Sequence, residues 1–268
     1  MKKTLIILAA VLVCFFCYRF FDQQFRLTNI ETTWPDEGRI LSAQEKMQLE
    51  PILSQTYDYL DRGKQSYVFS SWDGKYVLKF FDTRCLHSGA LPLLFPIDAK
   101  RCAKKLQDLV SGYRLAWNRD RLHTGVIYVQ LSSNPLNPFK VAVYDRFGFK
   151  HEMDLAKVPF ILQERAIPTR ELITALLNKG DVVEARKRVQ LLKEMYIEEY
   201  RLGIIDGDHN VMYNTGFVGD RPVRLDAGRL HYDEAIVNPT LYQQDLDKVF
   251  KGRVNEWLNR HFPQYNLL

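Results

Sequence analysis

Three regimes of hydrophobic and polar patterning divide the chain. Residues 4–18 form an almost unbroken apolar run behind Lys2 and Lys3. Residues 22–50 are mixed and polar, with Pro35 and Gly38, and read as a connecting extension; helical spacing shows in part over 42–60. From about residue 57 the period is short. Tyr67-Val68-Phe69 and Tyr76-Val77-Leu78-Lys79-Phe80-Phe81 flank Trp72-Asp73-Gly74-Lys75, whose Asp-Gly pair predicts a hairpin. A helical period follows over 98–119, with Leu106, Leu109, Tyr113 and Ala116 on one face. Strands are predicted at 126–131, 140–144 and 159–163, with a turn at Asp145-Arg146-Phe147-Gly148. The second half is helical at 169–178, 182–202 and 239–259, and Ala185, Val189, Leu192, Met195 and Tyr196 form a core-facing stripe.

Between those helices lies the segment richest in chemistry. Gly203-Ile204-Ile205-Asp206-Gly207-Asp208-His209-Asn210 leads into Val211-Met212-Tyr213, and Val223-Arg224-Leu225 leads into Asp226-Ala227-Gly228. Both apolar runs read as strands. The turn-forming residues Asn214-Thr215-Gly216-Phe217-Val218-Gly219-Asp220 join them as a hairpin would.

Composition narrows the class. A chain of 268 residues with 46% hydrophobic and 26% charged residues is globular, with room for one large domain or two lobes. Its 37 basic residues are offset by 32 acidic ones, so the net charge of +5 gives no footprint for nucleic acid. Cys85 and Cys102 are isolated in sequence, and spacing leaves their pairing open. His209 and His231 have no partner at zinc-ligand spacing. The N-terminal run lacks a small-residue cleavage pattern after Ala10, which favours an uncleaved single-pass signal-anchor over residues 1–21. The run is short for a span of ~20 residues, and a snorkelling Arg19 lets Phe20 and Phe21 extend it. Lys2, Lys3 and the free amine outweigh Arg19, Asp22 and Arg26, which places the following domain outside the cytoplasm.

The order of strands, helix, strands, helices and acidic hairpin resembles a protein-kinase-like fold over roughly residues 57–230. The resemblance implies an α+β, two-lobed domain over 51–268, with a strand-rich N-lobe and a mainly helical C-lobe. It places Gly63-Lys64-Gln65-Ser66-Tyr67-Val68 at the glycine-rich phosphate loop, with Gly63 and Ser66 at the nucleotide. Lys79 is similar to the strand lysine that contacts the phosphates. Gln163, in Pro159-Phe160-Ile161-Leu162-Gln163-Glu164, falls where the last strand meets an adenine-binding hinge. Asp226 resembles the metal-binding aspartate, Asn210 the second metal ligand, and Asp206 the base that accepts a hydroxyl proton, with Asp208 an alternative base or ligand.

The implied cofactors are ATP and Mg2+. The implied activity is phosphoryl transfer to a hydroxyl on a protein or small molecule, in a protein held at a membrane by its N-terminal segment. Three departures are plain. Gln65 and Val68 stand where further glycines belong, and Asp206 precedes Asn210 by four residues where the family has five. Helix 98–119 has no glutamate to pair with Lys79, leaving Asp108 or Gln107. These departures favour the alternative of a pseudokinase acting as a binding or scaffolding module. A third reading is an interaction protein with no nucleotide site.

Overall fold

The computed structural model describes residues 2–21, 25–31, 40–63, 65–83, 99–134 and 139–268. Lys64, Cys85 and the start of the expected helix at Asp98 lie outside the described residues, as does the side chain of Cys102, so the Cys85–Cys102 question falls there too. The chain divides into two compact units. The first holds residues 1–102 and 130–161, and the second holds residues 103–129 and 162–268.

The first unit begins with α1 (Lys2–Phe21) and α2 (Ala43–Leu53). Ser42 opens α2 with a capping box: its hydroxyl accepts from the Glu45 N–H while Glu45 accepts from the Ser42 N–H at 2.9 Å. The strands β1 (Thr56–Arg62), β2 (Ser66–Ser71) and β3 (Tyr76–Phe81) make an antiparallel meander. The helical spacing expected up to residue 60 therefore stops at Leu53. Tyr57 is buried in β1, and the Thr and two Tyr residues over 56–59 favour a strand once neighbours exist to pair with.

α3 (Ala99–Arg119) and α4 (Arg121–Thr124) follow, then β4 (Val126–Gln130), β5 (Lys140–Tyr144), β6 (Lys150–Asp154) and β7 (Phe160–Glu164). The strands that lie wholly in the first unit run in the order β3-β2-β1-β5-β6, with β5 parallel to β1. β6 carries charge at both ends and no apolar alternation, which hid it from the sequence reading. Part of the segment read as a connector is packed: Phe25 is buried with its ring 5.2 Å from Tyr67 and 5.0 Å from Phe69.

The second unit continues with β8 (Ile167–Pro168), α5 (Thr169–Asn178) and α6 (Val182–Arg201), the last capped by Asp181. Then come β9 (Ile204–Asp206), α7 (Val211–Asn214), β10 (Thr215–Val218), β11 (Arg221–Arg224) and β12 (Leu230–Tyr232). It closes with α8 (Pro239–Asp247), a π-helical stretch (Lys248–Val254) and α9 (Asn255–His261). The stripe of α6 forms the centre of its core together with Val249, Phe250 and Leu258. A strand-rich first unit and a mainly helical second unit make the α+β class expected from the sequence.

The hairpin differs from the sequence reading in place. Val211-Met212-Tyr213 is helical, and the strands are β10 and β11, joined at Gly219 (φ 61°) and Asp220. Short apolar runs fit helix and strand alike. Here Val211 and Met212 are both buried, which an alternating strand with one solvated face would not allow. Among the described residues, no helix is long and apolar enough to cross a membrane.

Candidate functional site

The second unit gathers most of the candidate chemistry. β9 ends at Asp206 and pairs with β12, Leu230 opposite Asp206. The Asp206 side chain points inward and is buried. Its Oδ2 lies 2.5 Å from Arg224 Nη1, and its Oδ1 accepts from the Asp208 N–H at 2.9 Å. Arg224, fully buried on β11, also forks onto Glu199 of α6 at 2.8 and 2.5 Å and donates to the Tyr196 hydroxyl at 3.1 Å. Burial alone would strip charge from this cluster. It pushes the Glu199 carboxyl above its ordinary range, and the Arg224 guanidinium opposes that shift. Arg224 itself is held protonated against burial by Glu199 first, with Asp206 adding to it. Asp206 is thus one of two carboxylates held by Arg224 in a buried ion network at the base of the loop.

Beyond Asp206 the chain turns outward. His209 adopts φ 51°, rare outside glycine. Its Nε2 sits 3.0 Å from Asp245 of α8, and Asp245 also accepts from the Tyr200 hydroxyl at 2.7 Å. This anchor leaves Asp208 and Asn210 exposed. Asn210 occupies the N-cap of α7 without a side-chain capping bond.

Asn214, the last residue of α7, ties the two acidic segments together. Its Nδ2 donates to Asp208 Oδ2 at 3.1 Å. Its carbonyl accepts from the N–H groups of Leu225 at 2.7 Å and Asp226 at 3.4 Å. Asp226 is exposed, and its Oδ1 accepts from the Gly228 N–H at 2.9 Å. One network therefore joins Asp208, Asn214 and Asp226.

α3 closes against this segment. A Cβ on Gly112 would lie 2.2 Å from the Ala227 carbonyl oxygen, so only glycine permits this approach. Tyr113, fully buried one residue on, has its hydroxyl pushed well above the ordinary phenol range by burial and then by the Asp226 carboxylate.

The remaining predicted residues fall elsewhere. Gln163 is buried and acts through its side chain, its Nε2 donating to the carbonyls of Thr124 at 2.5 Å and Arg224 at 2.6 Å. In the first unit, the Gly63 N–H donates to the Ser66 carbonyl at 2.9 Å, closing the β1–β2 turn. Lys79 is buried on β3 opposite Val68, with a partner of its own. Sequence reasoning missed Asn214, Arg224, Glu199 and Asp245. A usable signal existed for Asn214, which directly precedes β10, whereas Asn210 precedes a helical turn.

Comparison with family models gives no match, and none is found among curated proteins. Among solved structures, the bifunctional kinase-methyltransferase WbdD superposes with a TM-score of 0.39 at 13% identity, over 76% of this chain and 40% of that one. The complex of Rv3197 with erythromycin, from Mycobacterium tuberculosis, gives 0.37 at 15% identity, over 84% and 72%. The GDP complex of wild-type aminoglycoside 2'-phosphotransferase-IIIa gives 0.30 at 13% identity, over 81% and 82%. The chain thus spans less than half the length of WbdD. Superpositions this loose carry no functional argument.

Proposed function

We propose that this protein is a kinase-like phosphotransferase that moves the terminal phosphoryl group of ATP to a hydroxyl acceptor. The observation that carries the reading is the double hold of Asn214, whose side-chain amide bonds the solvent-facing Asp208 carboxylate and whose main-chain carbonyl bonds the N–H of Asp226, a second solvent-facing acid. In this reading the roles sketched for Asp206 and Asn210 pass to Asp208 and Asn214. Asp206 is committed to Arg224, while Asp208 faces solvent and can accept the hydroxyl proton. The acceptor oxygen forms its bond to the terminal phosphorus, the bond to the bridging oxygen breaks, and ADP leaves.

Asn214 and Asp226 offer hard oxygen donors, which suit Mg2+ bound through one or two protein groups and phosphate oxygens. Among the described residues there is no cluster of three His, Cys, Asp or Glu side chains that would cage a metal without the nucleotide. When bound, Mg2+ would neutralise phosphate charge. Lys79 keeps the phosphate-contacting role that the resemblance implies.

Calorimetry of the full chain with ATP, with and without magnesium, tests this reading. Magnesium-dependent binding should disappear in Asp226→Ala. Transfer of labelled phosphate should fall about 100-fold or more in Asp208→Asn while binding persists. Absence of nucleotide binding by folded protein would sink the proposal. Binding without transfer would favour the pseudokinase, a reading already suggested by the lack of any glutamate in α3.

The proposal includes a membrane location. Leu5, Ile6, Ile7, Leu8, Val11 and Val13 of α1 are all exposed, an apolar surface that water disfavours and lipid does not.

A further inference from the structure

A cleft of about 150 Å³ opens within the second unit. One wall is the start of α7, with Asn210 and Tyr213; the other is the π-helical stretch and α9, with Arg253, Glu256, Arg260 and His261. The first wall is the stretch of chain between Asp208 and Asn214. Whatever occupies the cleft therefore lies against the segment whose two ends carry the proposed base and metal ligand.

The charges do not cancel. Arg260 is paired with Glu256 at 2.5 Å. His261 is fixed by the bond from its Nδ1 to the Trp257 carbonyl at 2.9 Å and by stacking on the Trp257 ring at 4.7 Å. Arg253 is exposed and has no ion-pair partner among the described residues. It sits on the widened turns of the π-helix, a distortion frequent at functional sites. Across the cleft, the Asn210 side chain makes no capping bond. One uncompensated guanidinium and one uncommitted amide donor line the same cleft, a pair suited to an oxyanion. Whole-ligand pockets run from about 300 to 1,000 Å³, so this cleft takes one end of a small molecule rather than a peptide or a large ring system.

We infer that this cleft is a subsite for the phosphate group of a small phosphorylated hydroxyl compound, held by Arg253 and Asn210. That this compound is the acceptor rests on the kinase-like reading; oxyanion binding at Arg253 does not.

Calorimetry of the full chain with inorganic phosphate as probe, and separately with ATP and magnesium, tests both. Arg253→Gln should weaken phosphate binding at least tenfold and leave ATP binding unchanged, while Arg253→Lys, which keeps the charge, should restore part of it. Asp226→Ala should do the reverse, sparing phosphate and losing ATP. Because Arg253 is exposed, the variants should keep the circular dichroism of the parent. Saturable phosphate binding that Arg253→Gln leaves intact would overturn the inference, as would no saturable binding by the parent protein. Phosphate binding lost in Arg253→Gln, in a protein that never binds ATP, would uphold the oxyanion site and fail the kinase-like reading.

Discussion

Arg224 shows how much a single side chain decides here. It is the largest fully buried side chain among the described residues, and it neutralises one of the two carboxylates that meet it, Glu199 and Asp206. Replacing it with methionine should cost about 3–5 kcal/mol in urea unfolding, because two buried carboxylates lose their partner. Replacing Glu199 with glutamine should cost less, since the Arg224–Asp206 pair survives. His123 offers a second test. Burial works to lower its pKa, but the Asp120 carboxylate, 2.8 Å from its Nδ1, then Glu199 and Glu198, outweigh it and raise the value. A folded pKa above the unfolded one means that His123 adds stability fully below about pH 6.5. That contribution is lost as pH rises through the folded value. The urea midpoint should therefore fall across that range in the parent and stay flatter in His123→Asn. Neither role was legible in sequence. Arg224 sat in a run read only as a strand, and nothing local marks an arginine as buried. Its partner Glu199 is 25 residues away on a helix.

At the scale of elements, the contact of α3 with the Asp226-Ala227-Gly228 segment is the most constraining. The face of Leu106, Leu109, Tyr113 and Ala116 was readable from its 3.6-residue period, and all four are buried. What that face covers was not readable. Gly112→Ala would force a methyl into the Ala227 carbonyl, so the Asp226 segment must shift. The expected cost is about 1–3 kcal/mol by thermal or urea unfolding. Nucleotide affinity should drop along with it, and an unchanged affinity would separate α3 from the site. The hairpin teaches the complementary point. Gly219 and Asp220 form the turn as expected, yet the first strand starts four residues later than the apolar run suggests, at Thr215 rather than Val211. That offset is why Asn214, and not Asn210, directly precedes a strand.

For the whole molecule, the sharpest expectation concerns α1. It has 20 residues, about 30 Å of helix, and its described side chains beyond Lys3 and Thr4 are apolar and exposed. If this helix holds the protein at a membrane, the full chain should sediment with lipid vesicles and resist extraction by high salt. A variant lacking residues 1–21 should stay in the supernatant. Equal partitioning of the two would remove the membrane from the proposal.

Sequence alone determined the α+β class, most element positions and the loop that carries the acidic groups. Those depend on local periodicity, capping and turn chemistry, which neighbouring residues encode. The tertiary structure alone decided which acidic and amide groups belong together. Asp206 turns inward because Arg224 waits on β11, and Asp208 turns outward because Asp245 holds His209. Both partners are distant in the chain. Their pairing is a property of packing, where an unpaired buried charge is too costly to persist.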